Sequence, residues 1–486
     1  MDIESKIKEI QKEFHNTTDL IVRKFESTDR TICAMVYLDN AVDKLLLSQC
    51  AIEKVQQFSF NENPNKNIKE CQQNLIAFAQ VENVTDNQDI IDSIVNGFAI
   101  LIVNKCDTLT KIGCSKWLTR YPSEPPTSAV IRGPREGFVE DISSNISLIR
   151  KRLRSNEFVI EDMTLGRESN TQIKICYLHN VAKPIIIQEI KEKLQKIDID
   201  GIVDSSYIAS FLGHNRHTLF KQIGTAEKPD IIAAKVLEGR IAIFVDGSPI
   251  VLTVPFLLFE DLQASDDYYS VPAKASFLRW LRLLGGIAAI MLPGIYVALL
   301  LYHYQIIPIK FLITIANAIE VIPLPPFLEI LFIIFLFEIL YEASLRMPRY
   351  LGLALSIVGA LILGDTAVKA GLISPPAVLI IAITGVMSYT IPEQSAQITL
   401  LRLIFTFLGG ALGLYGIIVG GMILIAYLAN MDNYQTPYLA PFAPFIPNDQ
   451  KDGLNKKPIT SQISRPESIP NINKRRLRNE GEDNIV

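Results

Sequence analysis

The sequence predicts an α/β cytoplasmic region of two similar subdomains, followed by an all-α polytopic transmembrane domain of five or six membrane segments. Three observations lead there. Hydrophobic residues make up 49% of the 486-residue chain but are unevenly placed. Charged and apolar stretches alternate up to about residue 280, whereas residues 283–429 are dominated by Leu, Ile, Phe, Ala and Gly. An internal duplication runs through the first part, and long apolar runs fill the second.

The chain opens MDIESKIKEIQKEF, charged and lacking the apolar core and small-residue cleavage site of a secretory signal. The first part is therefore expected on the cytoplasmic side. All six cysteines (Cys33, Cys50, Cys71, Cys106, Cys114, Cys176) lie there without a CxxC pair or zinc-like spacing, and read as reduced thiols. The duplication pairs ICAMVYLDNAVDKLLLSQ from Ile32 with IKICYLHNVAKPIIIQE from Ile173. Further on, GFAILIVNKCDTLTKI from Gly97 pairs with GRIAIFVDGSPIVLTV from Gly239. The Tyr37-to-Gly97 and Tyr177-to-Gly239 separations are 60 and 62 residues. Two motifs in one order at nearly one spacing predict subdomains over 1–130 and 156–275 of similar topology. The second hairpin turns at Asp246-Gly247, just before Pro249, and a tight turn is sufficient reason for that dipeptide.

Between the repeats lies IRGPREGFVEDISSNISLIRKRLRS, residues 131–155. Phe138, Ile142, Ile146, Ile149 and Leu153 follow three- and four-residue spacing, the stripe of an amphipathic helix. Glu136, Glu140 and Asp141 would sit at its positive end, and Arg150, Lys151, Arg152 and Arg154 at its negative end. The run of cations thus has a helix-stabilising reason. The region is not basic overall and lacks interleaved aromatics, so nucleic acid is not expected. With its entry Arg132, Gly133, Pro134, Arg135, Glu136, Gly137 and Phe138, the segment is expected to transmit motion between subdomains or contact a neighbouring subunit, and packing on the second subdomain is compatible with either.

The apolar part, 276–430, begins with LLGGIAAIMLPGIYVALLLYHY (Leu283 to Tyr304), long enough for a hydrocarbon core of about 30 Å. Arg279 and Arg282 flank its cytoplasmic end, and Pro293-Gly294 should kink it. IKFLITIANAIEVIPLPP (Ile309 to Pro326) is a crossing or a re-entrant element. FLEILFIIFLFEILYEASLR (Phe327 to Arg346) carries Glu329, Glu338 and Glu342. Glu338, furthest from both ends, has the strongest functional claim. Glu342 and Arg346 can pair along the helix, or with Arg349 mark the interface. YLGLALSIVGALILGDTAVKAGLI follows. Its Ser356, Gly359, Gly364 and Asp365 read as a packing face, and Ile357, Val358 and Ile362 as candidates for a hydrophobic constriction. PPAVLIIAITGVMSYTIPEQS and LRLIFTFLGGALGLYGIIVGGMILIAYLA complete the set. Arg346 and Arg349 inside favour five spans, whereas KRRLR (Lys474 to Arg478) inside favours an even number. The tail 431–486, rich in Pro, Asn and Ser, is expected to be disordered.

P-loop, GxSxG and HExxH motifs are absent, and His214 and His217 lack the further ligands a metal would need, so neither an enzyme nor a cofactor is expected. The motifs present resemble the A subunit of GerA-type spore germination receptors. The resemblance rests on RGPREGFVEDISSNISLIRKRLR, KPD (Lys228 to Asp230), LEGRIAIFVDGSPIVLTVP, DDYY (Asp266 to Tyr269) and FLRWLRLL leading into PGIYVA. EILYEASLRMPR, VGALILGDTAVKAG and SYTIPEQ continue it. It covers nearly the whole chain, departing in the first residues and the tail. The resemblance implies a place in the inner membrane of a dormant spore, beside a transporter-like B subunit and a lipoprotein C subunit. It also implies a homo-oligomer that gates monovalent cations. The rivals are an ion-coupled secondary transporter, disfavoured because the duplication lies outside the apolar part, and a non-conducting scaffold.

Overall fold

The structure, a computed structural model, describes residues 2–477 except 61–63, 75–77, 79, 117–132, 216–217 and 347–360. Two five-stranded antiparallel sheets form the soluble part. The first contains β1 (Leu20–Glu26), β2 (Ile32–Leu38), β3 (Val81–Val84), β4 (Ala99–Val103) and β5 (Leu109–Ile112), in the order β1-β2-β4-β5-β3. The second contains β6 (Phe158–Leu165), β7 (Thr171–Leu178), β8 (Gly224–Ala226), β9 (Ile241–Val245) and β10 (Val251–Val254), in the order β6-β7-β9-β10-β8. The orders correspond strand for strand.

The central strands read as unbroken apolar runs because both faces of each sheet are covered. In the first sheet Ala34, Val36, Ile100 and Ile102 face helices α1 (Ile3–Glu13) and α4 (Asn87–Val95). Cys33, Met35, Leu101 and Val103 face α2, a helical run over 44–57, and α3 (Pro64–Asn74). In the second sheet Cys176, Ala242 and Phe244 face α5 (Ile142–Arg152) and α8 (Pro229–Leu237). Ile175, Ile243 and Val245 face α6 (Pro184–Gln195) and α7 (Ser205–Leu212). Helix α5 thus stands to the second sheet as α1 does to the first. It opens the second repeat rather than forming a separate connector.

The expected helix from Phe138 starts instead at Ile142, with Asp141 as N-cap accepting the Ser144 N–H at 2.7 Å. Residues 133–140 are not helical, and the Asn145 side chain pairs with the Val139 backbone at both its N–H (2.8 Å) and its carbonyl (2.6 Å). Phe138 leaves the helical stripe but stays in the same core, edge-on to Phe244 at 5.6 Å.

The apolar part is a bundle of α9 (Pro272–Tyr302), α10 (Ile309–Ile319), α11 (Pro326–Arg346), α12 (Pro375–Ser388) and α13 (Ser395–Ala429). Among the described residues, two helical stretches, Pro272–Tyr302 and Pro392–Ala429, are long and apolar enough to cross a membrane. The second, expected as one span from Leu401 to Ala429, doubles back at Gly413 (φ 64°, ψ −151°). A Cβ on Gly420 would lie 2.6 Å from the Leu408 side chain, although twelve residues of straight helix separate two positions by about 18 Å. Both ends accordingly meet the second sheet's surroundings: Glu393 pairs with Lys221 at 2.8 Å, and Tyr427 bonds Thr218 at 2.9 Å. Helix α10, at 11 residues, is about 16 Å long and too short to cross, which removes that alternative for Ile309–Pro326.

The tail, expected to be disordered, is ordered through Leu477. Composition misleads here because a few anchors suffice. Tyr434 and Tyr438 are buried and donate to the Leu212 and Lys221 carbonyls at 2.9 and 2.7 Å, Ile469 is buried, and Asn471 bridges to Ala182. The tail thus packs against the second repeat.

A candidate coupling site between the soluble sheets and the helical bundle

Two buried junctions hold the molecule together. The first joins the sheets. Arg150, expected only to complement a helix dipole, turns inward and holds Asp19 through two hydrogen bonds of 2.9 Å, both side chains being 1% exposed. Its guanidinium lies over the Phe158 ring at 4.8 Å and donates to the Ser155 carbonyl at 3.0 Å. Around the pair, Thr17 and Thr18 exchange hydrogen bonds with the Ile160 backbone, and Ser147 donates to the Asn40 carbonyl at 3.0 Å. Seven hydrogen bonds thus lock α5 and β6 to the first repeat.

From this junction the signature segment runs back along α5. Glu136 consequently pairs with Arg152 and Lys151 at the helix's C-terminal end, not with the N-terminal dipole as expected. Burial opposes its ionisation, but Arg152 and Lys151 hold the carboxyl below the usual range. Gly133 (φ 124°) lies flat on Tyr269, where a Cβ would come within 2.6 Å of the ring. Arg132 lies outside the described residues. Pro134, Arg135 and Gly137 lie on the partly exposed path between. At the other end of α5, the Asp246-Gly247 turn has a second use: the Asp246 carboxylate accepts the Ile142 N–H at 3.3 Å, and Gly247 N–H donates to the Glu140 carbonyl at 2.8 Å. Pro249 follows Ser248, whose hydroxyl donates to Asp204 at 2.6 Å.

The second junction is a charged collar at the base of the bundle. Asp267, 0% exposed at its side chain, accepts from Arg279 (3.2 Å) and twice from Arg282 (2.7 and 3.0 Å). Arg279 also donates to the Asp452 carboxylate at 2.9 Å, so the tail is pinned to the same point. Arg279 and Arg282, read from sequence as orientation marks, are the clasp itself. Nearby, Asp230 accepts from Tyr269 (3.0 Å) and Ser265 (2.9 Å), with Lys228 at 3.6 Å. Glu260 sits between Arg240 and Lys235, and Gln394 donates to Asp261. KPD, LEGR, DDYY, FLRWLR and IPEQ, scattered over 167 residues from Lys228 to Gln394, meet in one collar.

Charge neutralisation in the collar has a pH signature. Burial would raise the Glu260 carboxyl, but Arg240 and Lys235 win and hold it at about 2 against an ordinary 4.5. Its stabilisation is therefore complete above pH 4.5 and lost as pH falls towards 2. Glu238 and Asp261, pushed up by burial, act in the opposite sense. Glu260→Gln should lower the melting temperature at pH 7 and flatten its fall between pH 4.5 and 2, measured on the solubilised full chain. An unchanged acid slope would remove Glu260 from the collar's charge balance.

Within the bundle, α9 and α13 touch backbone to backbone: a Cβ on Gly294 would meet the Phe405 carbonyl at 2.3 Å, and one on Gly409 the Gly294 carbonyl at 2.3 Å. Arg402, 6% exposed and overlooked in the sequence, reaches Glu338 at 3.3 Å. A lone arginine inside an apolar run was its available signal. Glu338 is thus a paired acid, and at 39% exposure it is not the most buried one. That acid is Glu329, 0% exposed. Nine residues are two and a half turns, so depth along the helix put the two on opposite faces and sequence could not say which was covered. Glu342 pairs with Arg346 through Nε at 2.8 Å, both exposed, and Asp365 pairs with Lys369 at 2.6 Å. Leu361–Thr366 forms a π-helical turn containing Ile362, and no described atom lies within 4 Å of a Cβ placed on Gly364. Arg349, Ser356, Ile357, Val358, Gly359 and the Ile362 side chain lie outside the described residues.

The six cysteines form no disulfide with one another, and burial pushes the Cys33, Cys71 and Cys114 thiols up to about 12, 12 and 11, far from nucleophilic use at neutral pH. His214 lies against Lys193, Glu189 and Tyr434, and His217 is outside the described residues. Among the described residues no group of three or more His, Cys, Asp or Glu could hold a metal.

Fold and junctions together define a class: a duplicated soluble region clasped by buried charges to a bundle of apolar helices. The chain belongs to the Bacillus/Clostridium GerA spore germination protein family, which matches it over residues 8–468. It is similar to spore germination protein KA of Bacillus subtilis (33% identical, covering 95% of this chain and 86% of that one). It is also similar to the uncharacterized membrane protein YfkQ of the same organism (32%, covering 92% and 88%). Among solved structures, it resembles the N-terminal domain of the A subunit of the Bacillus megaterium spore germinant receptor GerK3. That likeness is 26% identical with a TM-score of 0.41, over 53% of this chain and 96% of that one.

Proposed function

We propose that the chain is the A subunit of a nutrient-responsive receptor in the spore inner membrane, with its sheets on the cytoplasmic (core) side. In this reading it works with a transporter-like B subunit and a lipoprotein C subunit, as a homo-oligomer embedded in lipid. A nutrient held by the partner shifts a closed-open equilibrium, and monovalent cations leave through the oligomer. The observation that carries this reading is the run of contacts from the buried Asp19–Arg150 pair through the partly exposed Glu136 and Gly133–Tyr269 to the buried Asp267–Arg279 pair and the Gly294–Gly409 crossing. A change of subunit contact at the sheets has a stiff path into the helices.

The test is nutrient-triggered release of monovalent cations from membranes carrying this chain with its B and C partners, beside Ile362→Ala. Release by the wild type with nutrient-independent leak in the variant is expected. Nutrient uptake without cation release would favour the transporter, and neither flux would favour the scaffold.

A further inference from the structure

Glu329 lies in the first turn of α11 and its Oε1 accepts the backbone N–H of Ser374, the N-cap of α12. Pro375 and Pro376 follow, so that helix start offers few N–H groups, and the Ser374 hydroxyl caps nothing. The Tyr296 ring comes from α9 and packs in the same buried cluster as Ile330 and Ile373, the chain neighbours of Glu329 and Ser374. Three oxygens result, Glu329 Oε2, Ser374 Oγ and Tyr296 OH, each buried and, among the described residues, each without a hydrogen-bond partner. The walls are apolar: Val297, Ile330, Ile333, Ile373 and Ile381 pack around them.

A carboxylate in such a place is costly unless a positive charge joins it. Among the described residues, the helices packed on α11 do not bring one. Helix α12 has no charged residue, and α9 brings Tyr296. Helix α13 brings Arg402, committed to Glu338 about 13 Å further along α11. The neighbouring 365–369 turn holds its own Asp365–Lys369 pair. Other buried charges, such as Asp19 and Asp267, have full partners. Here the polar atoms outnumber the bonds they make.

We propose that Glu329, Ser374 and Tyr296 form a site for one small monovalent cation, a proton or an alkali ion, inside the bundle. An alkali ion takes the three oxygens as ligands. A proton sits on Glu329 Oε2 and is shared with the Ser374 or Tyr296 hydroxyl. The site goes beyond the conduction reading and stands apart from it, because occupancy can be measured without flux.

The experiment is the melting temperature of the purified, detergent-solubilised full chain. One arm adds Na⁺ or K⁺ at constant ionic strength, balanced with choline, at pH 8. The other lowers the pH from 8 to 5 without alkali ions. The wild type should rise saturably, by about 5 °C at a hundredfold excess over Kd, in one arm, which names the ion. Glu329→Gln should be flat in that arm, and Ser374→Ala and Tyr296→Phe should each move the midpoint by about tenfold. A wild type flat in both arms, or a Glu329→Gln protein that keeps the wild-type response, overturns the site. Should Glu329→Gln fail to fold, unshifted midpoints in the two milder variants overturn it as well. Cation binding without nutrient-triggered flux would keep this site and remove the channel, and flux with an empty site the reverse.

Discussion

Arg150→Met, made alone, should destabilise the soluble part by about 3–5 kcal/mol, because it leaves the Asp19 carboxylate buried without its cation. Asp19→Leu combined with Arg150→Met should recover most of that loss, since removing both charges removes the desolvation cost with them. The measurement is urea unfolding of the solubilised chain followed by near-UV signal, completed as a double-mutant cycle. Additive single effects would show that the two side chains do not act as a pair. The same variants report on function: if the sheets pass a signal through α5, the double variant should be folded yet respond less to nutrient. A folded double variant with normal response would place the path elsewhere.

Gly294→Val is the second large effect. The α9–α13 contact has no room for a Cβ, with carbonyl groups 2.3 Å away on both sides, and these neighbours are backbone that cannot swing aside. The helices must separate by more than an ångström, losing packing along the whole crossing. We expect at least about 3 kcal/mol of destabilisation and little receptor accumulating in membranes. Gly385→Ala, where no described atom lies within 4 Å, should accumulate normally. Equal levels of both variants, read by quantitative immunoblot, would mean that the crossing is looser than the contact implies.

Much of the soluble part was legible in the sequence because its signals are local. Unbroken apolar runs of five to seven residues marked the covered central strands, and the 60- and 62-residue separations marked one topology used twice. The start of α5 was missed by four residues because Phe138 keeps the helical spacing, although the Asn145 side chain bonds the Val139 backbone there. The tail was misread for a related reason. Pro, Asn and Ser suggest disorder on average, but Tyr434, Tyr438 and Asp452 find partners more than 150 residues away.

The candidate site was legible only in pieces. The motifs of the collar were visible as separate strings, yet nothing in their spacing says that Asp267 would take both Arg279 and Arg282, or that Asp452 would join them. Glu338 drew attention through depth, while burial belonged to Glu329 on the opposite face. Nor could hydropathy distinguish one long helix from two that double back at Gly413.

By itself, then, the sequence determined the soluble and apolar halves, the repeat and the absence of familiar catalytic motifs, because composition and periodicity record how far each residue prefers water. Tertiary structure decided which charges meet, which face of each helix is covered and where the tail packs. Those depend on contacts between residues far apart in the chain, and pair partners leave no mark on local pattern.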